Sequence, residues 1–363
     1  MSSLFEVHDD HDATYQRRGG RRVVAEYGRP DRAHKAVRNV AGLIEVAADA
    51  IEITGEDRVD FVDNAISNRV PTEDGRGRYA LLLTPQGRIR TEMYVFNAGT
   101  RLLLFLPPGE GEDVAAEWRE NTFIQDVSIE TLTEELTILG VHGAQATEKI
   151  ASVFSEQTPD EQLTFVRGVM GDAGVTVIRT DGLTGEEGYD VVCSTDVARD
   201  VYDTLENRGL NAAPFGYRTW ESLTLEAGTP LFESELREEV PNNLGLRNAV
   251  DFQKGCFVGQ EVVSRVENRG EASKQLVGLT VEAVPEGGGT VYAGDETVGS
   301  VTRGVQSPSL EEPIALALLQ RAVATALDDR ELTVRIDGEE YRATGVELPF
   351  VDGSERSARL PSY

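Results

Sequence analysis

A mixed α+β body over residues 1–272, followed by a small β-barrel over 273–363, is the architecture this sequence predicts. Three observations carry it. Segments of helical and of strand periodicity are interleaved through the first part of the chain. From Leu276 onward only short strands with Gly-rich turns succeed one another, the pattern of a separate all-β unit. Between the two lies a polar, glycine-containing break, Gly270-Glu271-Ala272-Ser273.

The elements follow in chain order. Residues 31–47 pass from a polar helical start into the apolar run Ala41 to Val46. Ile51-Glu52-Ile53 reads as a short strand, and Thr54 to Asp57 as a turn and helix start. Val59 to Ile66 has helical spacing, with Phe61, Val62, Ala65 and Ile66 on one side. Arg78 to Leu83 and Arg90 to Phe96 form a hairpin around Thr84-Pro85-Gln86-Gly87, whose Pro and Gly suit turn positions. Leu102 to Leu106 is a further strand, stopped by Pro107-Pro108-Gly109. Asp113 to Asn121, Asp196 to Arg208 and Trp220 to Ala227 read as helices. Leu136 to His142, Val175 to Arg179 and Tyr189 to Cys193 read as strands. The C-terminal strands are Leu276 to Val281, Thr290-Val291, Thr297 to Val301, Leu332 to Ile336 and Tyr341 to Val346, with Gly287-Gly288-Gly289 as a turn.

Composition limits the function. The chain has 363 residues, a formal net charge of -28, and four lysines (Lys35, Lys149, Lys254, Lys274) among 35 basic residues. Heavy acidity with so little lysine is the composition of a protein from a salt-in halophile, in which net charge maintains solubility. The same field repels phosphates and excludes a broad nucleic-acid surface. No apolar run is long enough to span a bilayer, and the acidic start from Met1 to Asp12 has no hydrophobic signal region. Cys193 and Cys256 make no disulfide framework, so a reducing cytoplasm is the expected setting. His8, Asp9, Asp10, His11 and Asp12 have metal-ligating side chains, but without a rigid scaffold such groups bind weakly, and an unstructured acidic terminus is expected there. No metal site is expected elsewhere.

The most informative stretch is Lys254-Gly255-Cys256-Phe257-Val258-Gly259-Gln260-Glu261. Gly255 and Gly259 permit a tight loop. Cys256 then sits on a constrained turn beside the Lys254 cation, which favours the reactive thiolate. The plainer reading is a small buried hydrophobe on a structural turn. The octapeptide resembles, residue for residue, the K-G-C-[FY]-x-G-Q-E pattern of the YgfZ family, a branch of the superfamily of the glycine cleavage T protein, a tetrahydrofolate-dependent aminomethyltransferase. The T protein lacks the Cys in this stretch.

The resemblance extends over nearly the whole chain. His34 to Gly42 looks like the T protein's H-x-A-V-R-x-x-A-G segment, and Leu83 to Val95 its L-N-A-x-G-G-x-x-D-D-L-I-V hairpin. Val141-His142-Gly143-Ala144-Gln145-Ala146 is similar to V-Q-G-P-x-A, Thr184 to Asp190 to T-G-E-x-G-Y-E, and Leu225-Glu226-Ala227-Gly228 to L-E-A-G. Gly299 to Pro308 and Ile314 to Ala317 look like the family's C-terminal barrel. His34 and His142, lying in matched turns, read as structural. The resemblance implies a folate-binding body of two interleaved subdomains, with antiparallel sheets around a central channel.

It also implies site residues. Glu186 takes the place of the Glu that accepts two parallel hydrogen bonds from the aminopyrimidine edge of a pterin; as residues alone, Glu186 and Glu187 are equally two solvated turn carboxylates. Tyr79 and Tyr189 flank the ring system, or are core residues with a wet hydroxyl. Thr91 stands where the family has its catalytic Asp, and Thr is no general acid or base near neutral pH. Glu92 keeps a carboxylate one position on, but on a strand a one-residue step reverses the face. Trp220 replaces a family Arg, with Arg218 close by, and both are counted with Glu92 among the candidate folate-binding residues. Cys256 and Lys254 are the candidate working groups, with Gly255, Gly259, Gln260 and Glu261 shaping their loop. Three functions follow: a YgfZ-like accessory protein that binds reduced folate or a related pterin and serves iron-sulfur enzymes; an aminomethyltransferase that works on an aminomethylated carrier protein; or a scaffold without a ligand.

Overall fold

The computed structural model describes residues 4–122, 124–269, 271–285, 288–327 and 330–363. Gly270 of the expected boundary and Gly287 of the expected turn lie outside the described residues.

Two sheets form the body. One has six strands in the order Phe165–Met170, Ala173–Arg179, Gly188–Ser194, Leu136–His142, Gly42–Val46, Ala213–Pro214. The other has five, in the order Arg76–Leu83, Ile89–Asn97, Arg101–Leu106, Asp49–Thr54, Ser128–Thr131. Each carries helices on one face. Leu139, Val141, Tyr189 and Val191 of the first pack with Val201 and Leu205 of helix Ala198–Asn207. Met93, Val95, Leu102 and Leu104 of the second pack with Val62 of helix Arg58–Ala65 and with Val114 and Trp118 of helix Gly111–Glu120. The opposite faces turn toward each other, and Ala50, Phe96 and Phe105 meet Ile138, Phe165, Ile178 and Val192 between them.

The C-terminal part closes into a barrel, in the order Lys274–Val281, Pro313–Gln320, Glu296–Gln306, Thr290–Ala293, Leu332–Ile336, Glu339–Val346, with the last strand paired back on the first. Alternate residues Val277, Leu279 and Val281 point into its core with Ala315, Ala317 and Leu319. The expected hairpin and the expected helices are present within a few residues of their predicted bounds. The unstructured N-terminus is a correction. Phe5–Asp10 is a helix, with Leu4 and Val7 buried in the core. His8 is fully buried and hydrogen-bonds Glu45 and the Tyr27 hydroxyl, each at 2.8 Å. Tertiary contacts, not local propensity, hold so short a helix. Among the described residues no group of His, Cys, Asp and Glu side chains is arranged to hold a metal ion, and no helix is long and apolar enough to cross a membrane.

Barrel and body are joined through buried charge. Glu226 ends helix Tyr217–Glu226 with no side-chain exposure. It receives hydrogen bonds from Arg38 (3.0 Å) of helix Pro30–Asn39 and from Ser307 (2.6 Å) and Ser309 (2.8 Å) beyond the barrel strand, and pairs with His34 at 2.9 Å. Burial pushes its carboxyl up, but His34, Ser307 and Arg38 more than offset that and draw it down to about 2. A depressed carboxyl contributes stability above its unfolded value near pH 4.3, lost as pH falls toward the folded value. Unfolding free energy should therefore drop between about pH 4.5 and 2, more steeply in the native chain than in Glu226→Gln. That variant should also lose about 3 kcal/mol at pH 7, since Arg38 keeps only Glu186 as a carboxylate partner and Ser307 and Ser309 lose a charged acceptor. Chemical denaturation across pH checks both; equal acid slopes would remove Glu226 from the linkage.

Candidate functional site

Between the facing sheets lies a cavity of about 1110 Å³, open mouth included. Strand alternation decides what enters it. Along Ile89–Asn97, Met93 and Val95 lie under the helices, while Glu92, Tyr94 and Phe96 line the cavity. Along Gly188–Ser194, Tyr189, Val191 and Cys193 face the helices, while Asp190 and Val192 line it. Along Leu136–His142, Ile138 and His142 line it. Phe96, Phe105, Ile138, Ile178 and Trp220 give flat apolar walls, and Glu92, Asp181, Asp190, His142 and Arg359 a polar end.

Arg359 organises that end. Its side chain is 1% exposed and donates to Glu92 (Nη1, 2.7 Å), to Asp181 (Nε, 3.4 Å) and to the Tyr94 hydroxyl. Its guanidinium lies 4.0 Å from the ring centre of Tyr79. The Tyr79 hydroxyl donates to the same Glu92 oxygen, Oε2, at 2.6 Å, and the Tyr94 hydroxyl reaches both Asp181 oxygens at 2.9 Å. Glu92 Oε1 has no hydrogen-bond partner among the described residues. Burial raises the Glu92 carboxyl above its usual range, against the pull of Arg359.

Asp190 has no side-chain partner among the described residues, and burial, with Asp181 nearby, lifts it to about 7. It therefore exchanges a proton near neutrality. Burial lowers His142 to about 4, so its imidazole is neutral. Neither His142 ring nitrogen has a partner among the described residues, and the ring meets Trp220 edge-on at 5.1 Å. The site offers carboxyl groups of raised proton affinity beside flat apolar walls, which suits a planar ring with a polar edge.

The sequence-derived candidates are distributed as follows. Tyr79 is buried, supporting Glu92 from behind. Glu92, one of the folate-binding candidates, reaches the cavity, whereas Thr91 is sealed in the core with no exposure, so position 91 does not face the cavity as the resemblance to the catalytic Asp implies. Trp220 is part of the wall. Arg218 is exposed and paired with Glu26 at 3.0 Å. Glu186 does not line the cavity; its carboxylate is held by Arg38 at 3.1 Å. Tyr189 faces the helices and hydrogen-bonds Thr147 and Arg179.

Lys254 is also redirected. Its ammonium points inward, to the backbone carbonyls of Asp63, Ile66 and Asn68 and to the Asp63 carboxylate at 3.4 Å. It thus satisfies the carbonyls that end helix Arg58–Ala65 rather than attending the thiol. Cys256 is exposed. Gly259 has φ +81°, and a Cβ there would lie 2.6 Å from the Thr84 carbonyl oxygen, so glycine is required where the loop meets the hairpin turn. Gly255 has open space and no such constraint. Gln260 donates to the Lys254 carbonyl at 3.3 Å, and Glu261 is exposed in the first turn of helix Gln260–Arg269.

The sequence reading missed Asp181, Asp190, Tyr94 and Arg359, and took His142 as structural. For Asp190 a signal existed: alternation puts it on the face opposite Tyr189. For Arg359, in a tail without a motif, there was none.

Comparison with known proteins gives a consistent picture. The GCVT N-terminal domain family matches residues 4–254, and the glycine cleavage T-protein C-terminal barrel domain matches residues 274–352. The chain is 28% identical to an aminomethyltransferase of Bacillus cytotoxicus over 361 residues, covering 97% of this chain and 98% of that one. It is equally 28% identical to an aminomethyltransferase of Bacillus licheniformis over 357 residues, covering 96% and 97%. Its fold matches the crystal structure of glycine cleavage system aminomethyltransferase T from Bartonella henselae with a TM-score of 0.85, at 23% identity over 96% of this chain and 97% of that one. In sequence and in both of its domains, the chain belongs to the glycine cleavage T-protein family.

Proposed function

We propose that this protein is a folate-dependent aminomethyltransferase, moving a one-carbon unit from an aminomethylated carrier protein to a reduced folate or related pterin in the central cavity. The observation that carries this reading is the Glu92 carboxylate in the cavity, with one oxygen fixed by Tyr79 and Arg359 and the other open. Thr91 argues against transfer only if position 91 faces the substrate, and Thr91 is buried on the other side of the strand.

The cavity residues fit a reduced pterin. Phe96, Phe105, Ile138 and Trp220 can enclose a flat ring, and Asp190, unpartnered and titrating near neutrality, can meet an aminopyrimidine edge. Reduced folate, when bound, supplies the nitrogen that accepts the one-carbon unit. Glu92 holds or takes a proton at Oε1, and its raised proton affinity suits it to both. The apolar walls exclude water, which strengthens each of these polar contacts. The carboxylates Glu92, Asp181 and Asp190 also favour a cationic aminomethyl group.

With an aminomethylated lipoyl carrier and tetrahydrofolate, the chain should release ammonia, and Glu92→Gln should reduce the rate by roughly 10²–10⁴-fold. No release by the native chain would end the transferase reading. In calorimetric titration with tetrahydrofolate, Asp190→Asn should lose about 1.5–3 kcal/mol of affinity, the scale of a charge-assisted hydrogen bond, and Glu186→Ala should lose little. The reverse pattern would return the ring-edge role to Glu186.

A second reading, the YgfZ-like accessory role toward iron-sulfur enzymes, is favoured by the exposed Cys256 in its octapeptide loop. Cys193 is buried, and burial with Asp196 nearby pushes its thiol up to about 12. Cys256 should therefore react with iodoacetamide at least 10²-fold faster than Cys193 at neutral pH. If the accessory role is real, Cys256→Ala should fold normally yet fail to restore iron-sulfur enzyme activity in a host lacking its own family member. Full complementation would leave Cys256 without that role.

A further inference from the structure

We propose that Arg359 is a positioning residue of the cavity: it orients the Glu92 carboxylate and keeps Glu92 and Asp181 from sharing a proton, so that the C-terminal tail completes the site. The proposal rests on the reading of Glu92 as the working carboxylate, and it reaches beyond the matched family domains, the second of which ends at residue 352.

Three separate parts of the chain converge here. Glu92 comes from the five-stranded sheet, Asp181 from the turn that precedes strand Gly188–Ser194, and Arg359 from the tail beyond the barrel. The guanidinium is planar, and its pose is fixed on every side: Nη1 on Glu92, Nε on Asp181, and its carbon over the Tyr79 and Tyr94 rings at 4.0 and 5.3 Å. A planar fork held this way fixes the carboxylate that it binds.

The groups facing Glu92 are Tyr79, Arg359 and Asp181, with Tyr94 bridging to Asp181 and Asp190 beyond it. Among the described residues, Arg18 also lines the cavity but is paired with Glu221 and Glu233, so the positive charge that meets Glu92 is that of Arg359. Without it, two buried carboxylates would face each other, and one would hold a proton well above its usual range.

The tail does not need this guanidinium to stay in place. The Ala358 amide donates to the Asp181 carbonyl at 2.9 Å, the Ser357 hydroxyl bonds Thr229 at 2.7 Å, and the Tyr363 hydroxyl donates to the Asn243 carbonyl at 2.9 Å. A buried cation among carboxylates is costly to desolvate, and an anchor alone would be served as well by an apolar side chain. The charge therefore has a purpose other than anchoring.

The test is a ¹³C NMR titration of the full chain labelled at glutamate side chains, with Glu92→Gln identifying the Glu92 resonance. In Arg359→Gln, Glu92 should titrate about 1–3 pH units higher than in the native chain. In Arg359→Lys the rise should be smaller, because the charge remains. Asp181→Asn, which keeps the shape of the pair and Arg359 itself, should move Glu92 downward. The acid limb of the ammonia-release profile should follow Glu92 in each variant, with the KM for the carrier changed less than twofold. An unmoved Glu92 in a folded Arg359→Gln, or in Asp181→Asn should the first variant not fold, overturns the proposal and leaves Arg359 as an anchor. A native chain that releases no ammonia defeats the transferase reading separately, and the titration still decides the link between Arg359 and Glu92.

Discussion

Each body sheet has helices on one face and the cavity on the other, and the two-residue period of a strand is the constraint on which the rest depends. It puts Met93 and Val95 under helices and Glu92 and Tyr94 in the cavity on one strand, and Tyr189 and Val191 against Asp190 and Val192 on another. A one-residue slip would exchange every member of these sets. Glu92 and Asp190 would then enter apolar cores with no partner, at a cost of several kcal/mol each. The same requirement that forms the hydrophobic cores therefore fixes which acids face the cavity, so core packing and cavity lining are specified together.

The barrel is held to this body by charged groups, not by a broad apolar face alone. Glu226 joins helix Pro30–Asn39, its own helix and the Ser307–Ser309 segment. Arg303 of the barrel donates to Thr224 and to the Thr229 carbonyl, and lies 3.4 Å from the buried Glu235. Such contacts are direction-dependent, so they set the barrel in one orientation. That orientation matters because the tail leaves the last barrel strand and must return to the body with Arg359 in register. The Phe350 amide begins the return by donating to the Glu226 carbonyl at 2.9 Å. The joint and the cavity are thus connected by the chain itself.

Local pattern was enough to read the 76–97 hairpin, the helices ending near Ala65, Glu120, Asn207 and Glu226, and the barrel, because each has strong periodicity or a glycine-proline turn. What local pattern could not supply was long-range pairing. Helix Phe5–Asp10 is short and acidic and exists through His8 contacts to Tyr27 and Glu45. Arg359 and Glu92 are 267 residues apart in sequence and 2.7 Å apart in the fold. Glu186 and Asp190 illustrate a subtler limit. Glu186 of the glycine-flanked loop lies outside the cavity, and the nearby acid that enters it is Asp190 on the strand, in phase with Gly188. Likewise Thr91 and Glu92 lie on opposite faces of their strand, as the alternation predicts, but it is Glu92 that reaches the cavity and Thr91 that is buried.

The octapeptide loop shows why a recognisable motif need not act through the residue that first attracts attention. Lys254 is buried, its ammonium drawn down by burial against the opposing pull of Asp63, and it closes the end of helix Arg58–Ala65. Gly259 lets the loop touch the Thr84–Gly87 turn, and Val262 of the following helix would be struck by any side chain at Gly87. That turn joins the strands that carry Tyr79 and Glu92. Most of the motif therefore secures the hairpin from outside, and the hairpin in turn aims Glu92 into the cavity. Cys256 is the exception: it is exposed, and neither the helix end nor the turn requires a thiol at that position. Structural need accounts for Lys254 and Gly259, and it does not account for the thiol.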